Sequence, residues 1–222
     1  MRKINFFVED AYHREFLGAL VQRLAAFYKV QVEMNFVSTH GGHGRVLYEL
    51  RQHMLDLQRN KKSSSDLFIV ATDGNCKGYA GRKQEVDKVV KDFSGSLVYA
   101  IPDPHIERWL LLDSSAFKTV LGKGCSAPIQ KCQRDLYKRL LGDAIHDAIG
   151  GSTFSGIEYI ADLVNAMNLD YLERAEESLG RLLKELRRIF QEWHRSEYGS
   201  SQKLQESAIL YIIETEIDSL QT

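Results

Sequence analysis

The chain has 222 residues, of which 44% are apolar and 27% charged, so it can bury a core and its composition excludes the disordered class. A formal net charge of -1 excludes the strongly basic proteins that coat nucleic acid, so nucleic-acid binding would require a local basic patch, a metal or a partner. No apolar run approaches the roughly 20 residues that span a bilayer, and we expect no membrane contact.

The first 121 residues alternate between strand and helix periodicity. The runs at residues 67–71 and 96–101 are apolar throughout most of their length, whereas residues 30–37 alternate between apolar and polar, which predicts a strand nearer a sheet edge. The alternation is typical of a doubly wound α/β domain with a parallel sheet, in which residues 67–71 are central. The predicted elements, in chain order, are strand 4–8, helix 11–28, strand 30–37, helix 45–59, strand 67–71, helix 82–93, strand 96–101 and helix 106–112.

After residue 121 the alternation stops. A loop rich in small residues is expected over residues 122–130, and every later periodic segment has helical spacing. We therefore predict an α/β domain over residues 1–121 and an all-helical C-terminal region over residues 122–222. The helices of that region are predicted at residues 131–149, 156–167, 171–193 and 204–220.

The cysteines indicate the compartment. The chain has three of them, Cys76, Cys125 and Cys132, without a paired spacing, which predicts ordinary thiols in a reducing cytoplasm. A metal pair formed by Cys125 and Cys132 stays possible but would lack further nearby ligands. The apolar run at residues 4–8 is closed by acids and indicates a first strand rather than a secretory signal, so we expect a cytoplasmic protein.

Acidic residues follow two of the predicted strands. Glu9 comes directly after the first strand, and Asp73 follows the run at residues 67–71, with Asn75 two positions later. Ligands in open α/β sheets bind at the carboxyl ends of the strands, and carboxylate and amide oxygens suit Mg²⁺ or Mn²⁺. Such an ion would bind a phosphate group. The alternative is that these residues only form turns and cap the helices that follow.

A glycine-rich segment at residues 40–44 follows the second predicted strand at the same sheet edge. Its backbone could bind a phosphate at the start of the next helix, and His40 or His43 could donate a proton, which makes His43 a catalytic candidate. No Walker lysine follows, and a flexible loop without a ligand is the alternative. A nucleotide-binding regulator built on this segment is a further, weaker hypothesis.

Three basic residues follow Asp73 in the chain. Lys77, Arg82 and Lys83 lie in the predicted loop and the start of the next helix, where they could bind a nucleic-acid backbone beside the metal. The alternative is an ordinary solvated helix start.

Several motifs together resemble the Toprim family of topoisomerases, primases and overcoming-lysogenization-defect nucleases. Residues Phe6–Asp10 resemble its first motif, and Phe68–Asn75 its second, with Asn75 where the second aspartate is usual. Pro102–Leu111 resembles the P-x-x-x-x-E-x-W-L-L stretch of small Toprim-like proteins encoded beside ATPases in bacterial genomes, and Asn168–Leu172 resembles a helix start in their tails.

The resemblance implies a Toprim-like, Rossmannoid fold and a Mg²⁺- or Mn²⁺-dependent nuclease. Glu9 would be the general acid/base or a ligand, Asp73 a ligand and Asn75 a weaker one, and Glu107 is a fourth candidate. The expected substrate is DNA or RNA, and the expected partner is an ATPase in an antiviral defence system. Because Asn75 removes a charge from the motif, the alternative is a catalytically inactive subunit that binds nucleic acid or a partner.

Overall fold

In a computed structural model of the chain, four strands form one parallel sheet in the order β2-β1-β3-β4. The structure describes residues 1–38, 41–60, 65–126, 129–130, 132–133, 135–150 and 156–219, with the backbone alone at residues 38, 60 and 199–219. The strands are β1 (Arg2–Val8), β2 (Val32–Ser38), β3 (Leu67–Ala71) and β4 (Leu97–Ala100). The predicted parallel α/β fold is confirmed, with β3 inside the sheet and β2 at an edge.

The helices divide into those between the strands and those that follow them. Between or directly after strands lie α1 (Ala11–Tyr28), α2 (Gly42–Asn60), α3 (Gly78–Val90) and α4 (Ile106–Leu110). The C-terminal region contains α5 (Ser114–Leu121), α6 (Leu136–Ile149), α7 (Ile160–Ala166), α8 (Leu169–Ala175) and α9 (Glu177–Ser219), and short 3₁₀ turns occupy Asn75–Lys77 and Ile157–Tyr159. None of the helices in the described part of the chain is long and apolar enough to cross a membrane.

Two helix predictions were wrong in detail. The pattern of apolar residues did not predict α5, which is short and begins where the Asp113 carboxylate accepts hydrogen bonds from the backbone of Ser115 and Ala116, both at 3.0 Å. It also placed a break after residue 193, whereas the break lies between α8 and α9. There Glu176 is extended, and its carboxylate caps α9 by accepting a hydrogen bond from the Ser178 backbone N–H at 3.3 Å, together with one from the Ser178 hydroxyl at 2.8 Å. A side-chain cap therefore decides this boundary, not the apolar periodicity.

Apolar side chains cover both faces of the sheet. On one face Phe7, Phe68 and Val70 pack with α2 and α3. On the other, alternate β1 residues such as Ile4 and Phe6 join α1 and the C-terminal helices in one larger cluster. Residues before and after position 121 therefore share one hydrophobic core, while the predicted boundary between domains at that position stays a prediction.

The segment after β4 attaches the sheet edge to the last helix. The Trp109 indole donates to the Ser178 hydroxyl at 2.9 Å, and the backbone N–H of Asp103 approaches the same oxygen at 3.3 Å. Arg108 donates to the Glu176 carboxylate at 2.5 Å, and both side chains are about nine-tenths buried. Since a buried ion pair is costly to break, this contact fixes the segment against the start of α9.

The turn after β3 requires a glycine. The backbone N–H of Gly74 donates to the Pro102 carbonyl at 2.8 Å, and a Cβ at this position would lie 2.9 Å from the same oxygen. The peptide bond between Asp103 and Pro104 is cis. The two strand-end turns can therefore approach this closely only because position 74 has no side chain.

We predict that Gly74→Ala destabilises the fold by about 2 kcal/mol, because the added methyl group meets a backbone oxygen that cannot move freely. The matched control is Gly142→Ala within α6, where a Cβ meets nothing within 4 Å. This second change should be neutral or stabilising by about 0.5 kcal/mol through helix propensity. Urea unfolding of the two variants measures the difference, and equal midpoints would contradict the close approach.

Candidate functional site

The candidate site lies at the carboxyl ends of three adjacent parallel strands. Val8 of β1 is in register with Ala71 of β3, which in turn is in register with Ala100 of β4. The residues that follow these positions therefore meet at one edge of the sheet. This is the edge at which open α/β sheets bind ligands.

Asp73 is the centre of the site. One carboxylate oxygen lies 2.9 Å from His105 Nδ1, and the other accepts a hydrogen bond from the backbone N–H of Ile106 at 2.9 Å. His13 Nε2 lies 3.3 Å from this second oxygen. Burial by itself would raise the pKa of Asp73, but the hydrogen bond from His105 and the two neighbouring imidazoles hold that pKa well below its usual range. Asp73 is therefore ionised.

His13 is fully buried between two carboxylates. Its Nδ1 lies 2.8 Å from the Asp10 carboxylate, which also caps α1 by accepting a hydrogen bond from the His13 backbone at 3.0 Å. Burial lowers the pKa of His13, but Asp10 and Asp73 outweigh it and raise this pKa to about 10. The ring is therefore an imidazolium that offsets the charges of both acids.

Glu107 lies beside Asp73, and the basic groups near it are the imidazoles of His105 and His13 rather than a lysine or arginine. Ligand atoms of Asp73, His105 and Glu107 all lie within 4.8 Å of one another. Glu107 is only 8% exposed, and in the described part of the chain no lysine or arginine forms an ion pair with it. Burial and the charge of Asp73 raise the pKa of Glu107. The three side chains are a chemically reasonable ligand set for a divalent cation.

These side chains open into a cleft of about 250 Å³. The sheet side of the cleft contributes Asp10, Asp73, Asn75, His105 and Glu107. The opposite side is formed by the start of α6 and the residue before it, and contributes Asp135, Tyr137 and Lys138. The cleft is thus mainly acidic, with one lysine at its helical side.

Glu9 belongs to an adjacent network. One of its carboxylate oxygens accepts hydrogen bonds from the Thr72 hydroxyl at 2.5 Å and from the Asp73 backbone N–H at 3.0 Å. His43 Nδ1 lies 2.9 Å from the Thr72 hydroxyl, and His43 Nε2 lies 2.8 Å from Glu85. Burial and the charge of Arg82 lower the pKa of His43. Glu9 therefore contacts the backbone of Asp73, while its carboxylate lies outside the three-ligand cluster.

The predicted nucleic-acid contacts are all paired with acids. Lys77 forms an ion pair with Glu85, and Arg82 donates to Glu85 at 3.0 Å and to the Asp73 carbonyl at 3.0 Å. Lys83 lies 2.7 Å from Asp87. The contacts of Glu85 with Lys77 and Arg82 lower its pKa to about 2, with Lys77 as the largest cause. Much of the positive charge is thus neutralised within the protein, and a role in nucleic-acid binding stays a prediction.

The structure brings most of the predicted site residues to one edge. Asp73 and Glu107 share the cluster, Asn75 lines the cleft with a backbone φ of +48°, and Glu9 lies next to Asp73. His43 lies in the first turn of α2, which begins at Gly42, so the prediction of a loop there was wrong. His40 lies outside the described residues.

Several residues of the site were not predicted, among them His105, His13 and Thr72, and also Asp135, Tyr137 and Lys138 on the helical side of the cleft. His105 stands two positions before Glu107, and His13 stands one helical turn after the Asp10 cap, so both lie close in sequence to residues already singled out. Thr72 directly precedes Asp73 and donates to Glu9. A histidine within one turn of a strand-end acid was the signal available in the sequence.

The prediction of ordinary thiols was wrong for two cysteines. Cys76 and Cys132 form a disulfide, with their Cα atoms 5.3 Å apart and a sequence separation of 56. The pairing arises because the fold brings the turn after β3 next to the segment before α6. Cys125 is a free, half-buried thiol, and burial raises its pKa to about 11.

Comparison with known proteins gave no match among family models, curated proteins or solved structures.

The charge state of His13 predicts a pH dependence of stability. Its folded-state pKa of about 10 lies above the ordinary histidine value of 6.5, so the stabilisation is complete below pH 6.5 and is lost as the pH rises through 10. We expect the metal-free protein, in chelator, to lose on the order of 3 kcal/mol between these limits. Denaturant unfolding across this range measures the loss.

His13→Gln is the control for other groups that titrate in the same range. This variant should be less stable than the wild type at pH 6.5 and should show a much smaller fall by pH 10.5. A parallel fall in both proteins would show that His13 is not the imidazolium.

Proposed function

We propose that the protein is a divalent-metal-dependent phosphodiesterase whose metal is held by Asp73, His105 and Glu107. The observation that carries the proposal is the buried Glu107 carboxylate beside the ionised Asp73, with no lysine or arginine paired to it among the described residues. Two adjacent carboxylates in a buried place repel each other, and a bound cation would replace that repulsion with attraction.

The ligand types favour Mn²⁺ over Mg²⁺. Carboxylate oxygens suit both ions, whereas an imidazole nitrogen such as that of His105 suits a transition metal better than Mg²⁺. The amide of Asn75 also lines the cleft and could supply a further neutral oxygen. When bound, the ion would bind a phosphate oxygen and stabilise the charge that develops during attack on phosphorus.

Glu9 is proposed to position the turn and to accept a proton. One of its oxygens holds the Asp73 backbone and the Thr72 hydroxyl in place. The other carboxylate oxygen of Glu9 faces Gly42, and a Cβ at position 42 would lie 3.7 Å from it. Because glycine has no side chain, position 42 does not cover this oxygen. Such an oxygen can take the proton of an attacking water next to the metal cluster.

Within the phosphodiesterases, we propose a nuclease of the Toprim type. This step is supported by the resemblance of the segments that contain Glu9, Asp73 and Glu107, and by the position of these residues at one edge of a parallel sheet. DNA or RNA is the proposed substrate. Lys77, Arg82 and Lys83 are already paired with acids of the protein. An ATPase partner of a defence system would therefore supply part of the contacts to the nucleic-acid backbone.

The second candidate is a catalytically inactive subunit that binds nucleic acid or a partner. Two observations favour it. The Asp73 carboxylate already accepts protein hydrogen bonds at both of its oxygens, and Asn75 removes one charge from the motif. In this case His105 and His13 would replace a metal as the charges that balance the acids.

We predict saturable Mn²⁺ binding by the wild-type protein in calorimetry, with weaker Mg²⁺ binding. Glu107→Gln should weaken Mn²⁺ binding by about 100-fold, because it keeps the side-chain shape but removes a ligand charge. The matched control is Glu192→Gln on α9, where the carboxylate is exposed and pairs with Arg188. The absence of saturable binding by the wild type would favour the inactive subunit.

The phosphodiesterase assay is the second test. We expect Mn²⁺-dependent cleavage of DNA or RNA oligonucleotides that falls by about 100-fold or more in Asp73→Asn and in Glu9→Gln. Glu192→Gln should keep the wild-type rate. Equal activity in the wild type and both site variants would exclude the proposed site, and a loss in Asp73→Asn alone would assign Glu9 a structural role.

A further inference from the structure

A second cavity, of about 550 Å³, lies between the end of α1, the start of α8 and α9. It is far from the acidic cleft. The cleft lies at the start of α1, near His13, whereas Phe27 in the wall of the cavity lies about 21 Å further along the same helix, at a rise of about 1.5 Å per residue. A ligand of this cavity is therefore independent of the proposed metal site and of the proposed function.

Arg23 brings an unpaired positive charge to the wall of the cavity. Its Nη1 donates to the carbonyls of Val164 at 2.6 Å and Met167 at 2.8 Å, at the end of α7. Among the residues that the structure describes, no carboxylate forms an ion pair with Arg23, and its Nε and Nη2 have no hydrogen-bond partner. These two nitrogens form an edge of the guanidinium that can bind a carboxylate through two parallel hydrogen bonds.

Arg187 is a second guanidinium in the same wall. It donates to the Asp170 carboxylate at 2.6 Å, and its Nε lies 3.2 Å from Glu173, so acids of the protein offset its charge. Burial and the charge of Arg187 lower the pKa of Arg23, and Asp170 opposes this effect. The excess of positive charge is therefore at Arg23. A monoanion would offset it, whereas a dianion would be repelled more strongly by Asp170, which also lines the cavity.

Aromatic surface lies beside these cations. Phe27 is 76% exposed, and its ring meets that of Tyr28 edge-on at a centroid distance of 4.9 Å. A single exposed apolar side chain is ordinary at a protein surface. Phe27, however, lines a cavity together with Leu24 and Leu169, and apolar walls with a few polar groups are typical of small-molecule sites. An aromatic ring against Phe27 would remove apolar surface from water.

We propose that this cavity binds an aromatic carboxylate, with its carboxylate on the free edge of Arg23 and its ring against Phe27 and Tyr28. The Asn168 side chain supplies a further donor. Its oxygen caps α8 by accepting a hydrogen bond from the Tyr171 backbone at 3.0 Å, which leaves its amide nitrogen for the ligand. The structural use of Arg23 at the end of α7 occupies Nη1 alone and is compatible with this contact.

The first test is calorimetric titration of the full chain with 2-naphthoate, in the presence of chelator so that no metal binds the carboxylate. Saturable binding with a Kd below about 1 mM is expected. Two matched probes separate the contributions of charge and ring. The neutral 2-naphthamide keeps the ring, acetate keeps the carboxylate, and both should bind at least about tenfold more weakly. No saturable binding of 2-naphthoate, or equal binding of 2-naphthamide, would overturn the proposal.

The second test uses variants of the cavity wall. Arg23→Gln and Phe27→Ala should each weaken 2-naphthoate binding by about tenfold or more, because they remove the fork and the ring surface. Since Arg23 also closes the end of α7, urea unfolding of both variants accompanies the titration. Phe27→Ala decides the test if Arg23→Gln does not fold, because Phe27 is largely exposed. Wild-type affinity in Phe27→Ala would overturn the proposed ring contact.

Three control variants locate the ligand. Tyr48→Ala removes an exposed ring on α2, and Arg188→Gln removes an exposed arginine on α9, so both should bind 2-naphthoate as the wild type does. Glu107→Gln should also keep wild-type affinity, because it alters only the acidic cleft. A loss of 2-naphthoate binding in Glu107→Gln would assign the ligand to that cleft and overturn the proposal, whereas a failure of Mn²⁺ binding would contradict the proposed function alone.

Discussion

The largely buried carboxylate of Asp73 is the constraint on which the site depends. A charge removed from water at a strand end needs hydrogen-bond donors, and two chain segments provide three of them: α1 through His13, and the start of α4 through His105 and the Ile106 backbone. Next to Asp73, the backbone N–H of Gly74 donates to the Pro102 carbonyl, and this hydrogen bond holds the turn between β3 and α3. His105 and Glu107 belong to the segment that forms hydrogen bonds to the Asp73 carboxylate. These hydrogen bonds therefore bring together the residues of the proposed metal cluster.

The charges of the site divide into one balanced group and one unbalanced group. Asp10 and Asp73 enclose His13, and Glu85 is surrounded by Lys77 and Arg82, so both arrangements carry their own counter-charge. Glu107 differs, because its burial and the charge of Asp73 both oppose its ionisation, and no lysine or arginine in the described part of the chain forms an ion pair with it. This local imbalance supports the proposed ligand-binding site, since in structural ion pairs each charge is already satisfied.

The sequence was sufficient to predict the sheet and most of the acidic edge. Buried strands are short apolar runs, and strand-end acids are visible directly, so Glu9 and Asp73 could be predicted, whereas Glu107 was a candidate only through the resemblance of its segment to a known family. His13 and His105 were missed because a single histidine has no periodic pattern, and its role depends on which carboxylate lies beside it in space. The pairing of Cys76 with Cys132 depends on contacts between segments 56 residues apart, which spacing alone does not reveal. The start of α9 was missed because a side-chain cap, rather than periodicity, sets it.

The shared hydrophobic core has a practical consequence for dissecting the protein. Leu17, Leu20 and Leu24 of α1 are almost completely covered in a cluster that also includes residues of α7 and α9. A fragment ending at residue 121 would leave this leucine stripe in contact with water, so it should self-associate rather than behave as a minimal enzyme. Experiments on the candidate site therefore require the C-terminal helices, which cover the leucines of α1. A loss of function in a truncated chain would indicate misfolding rather than a direct effect on the site.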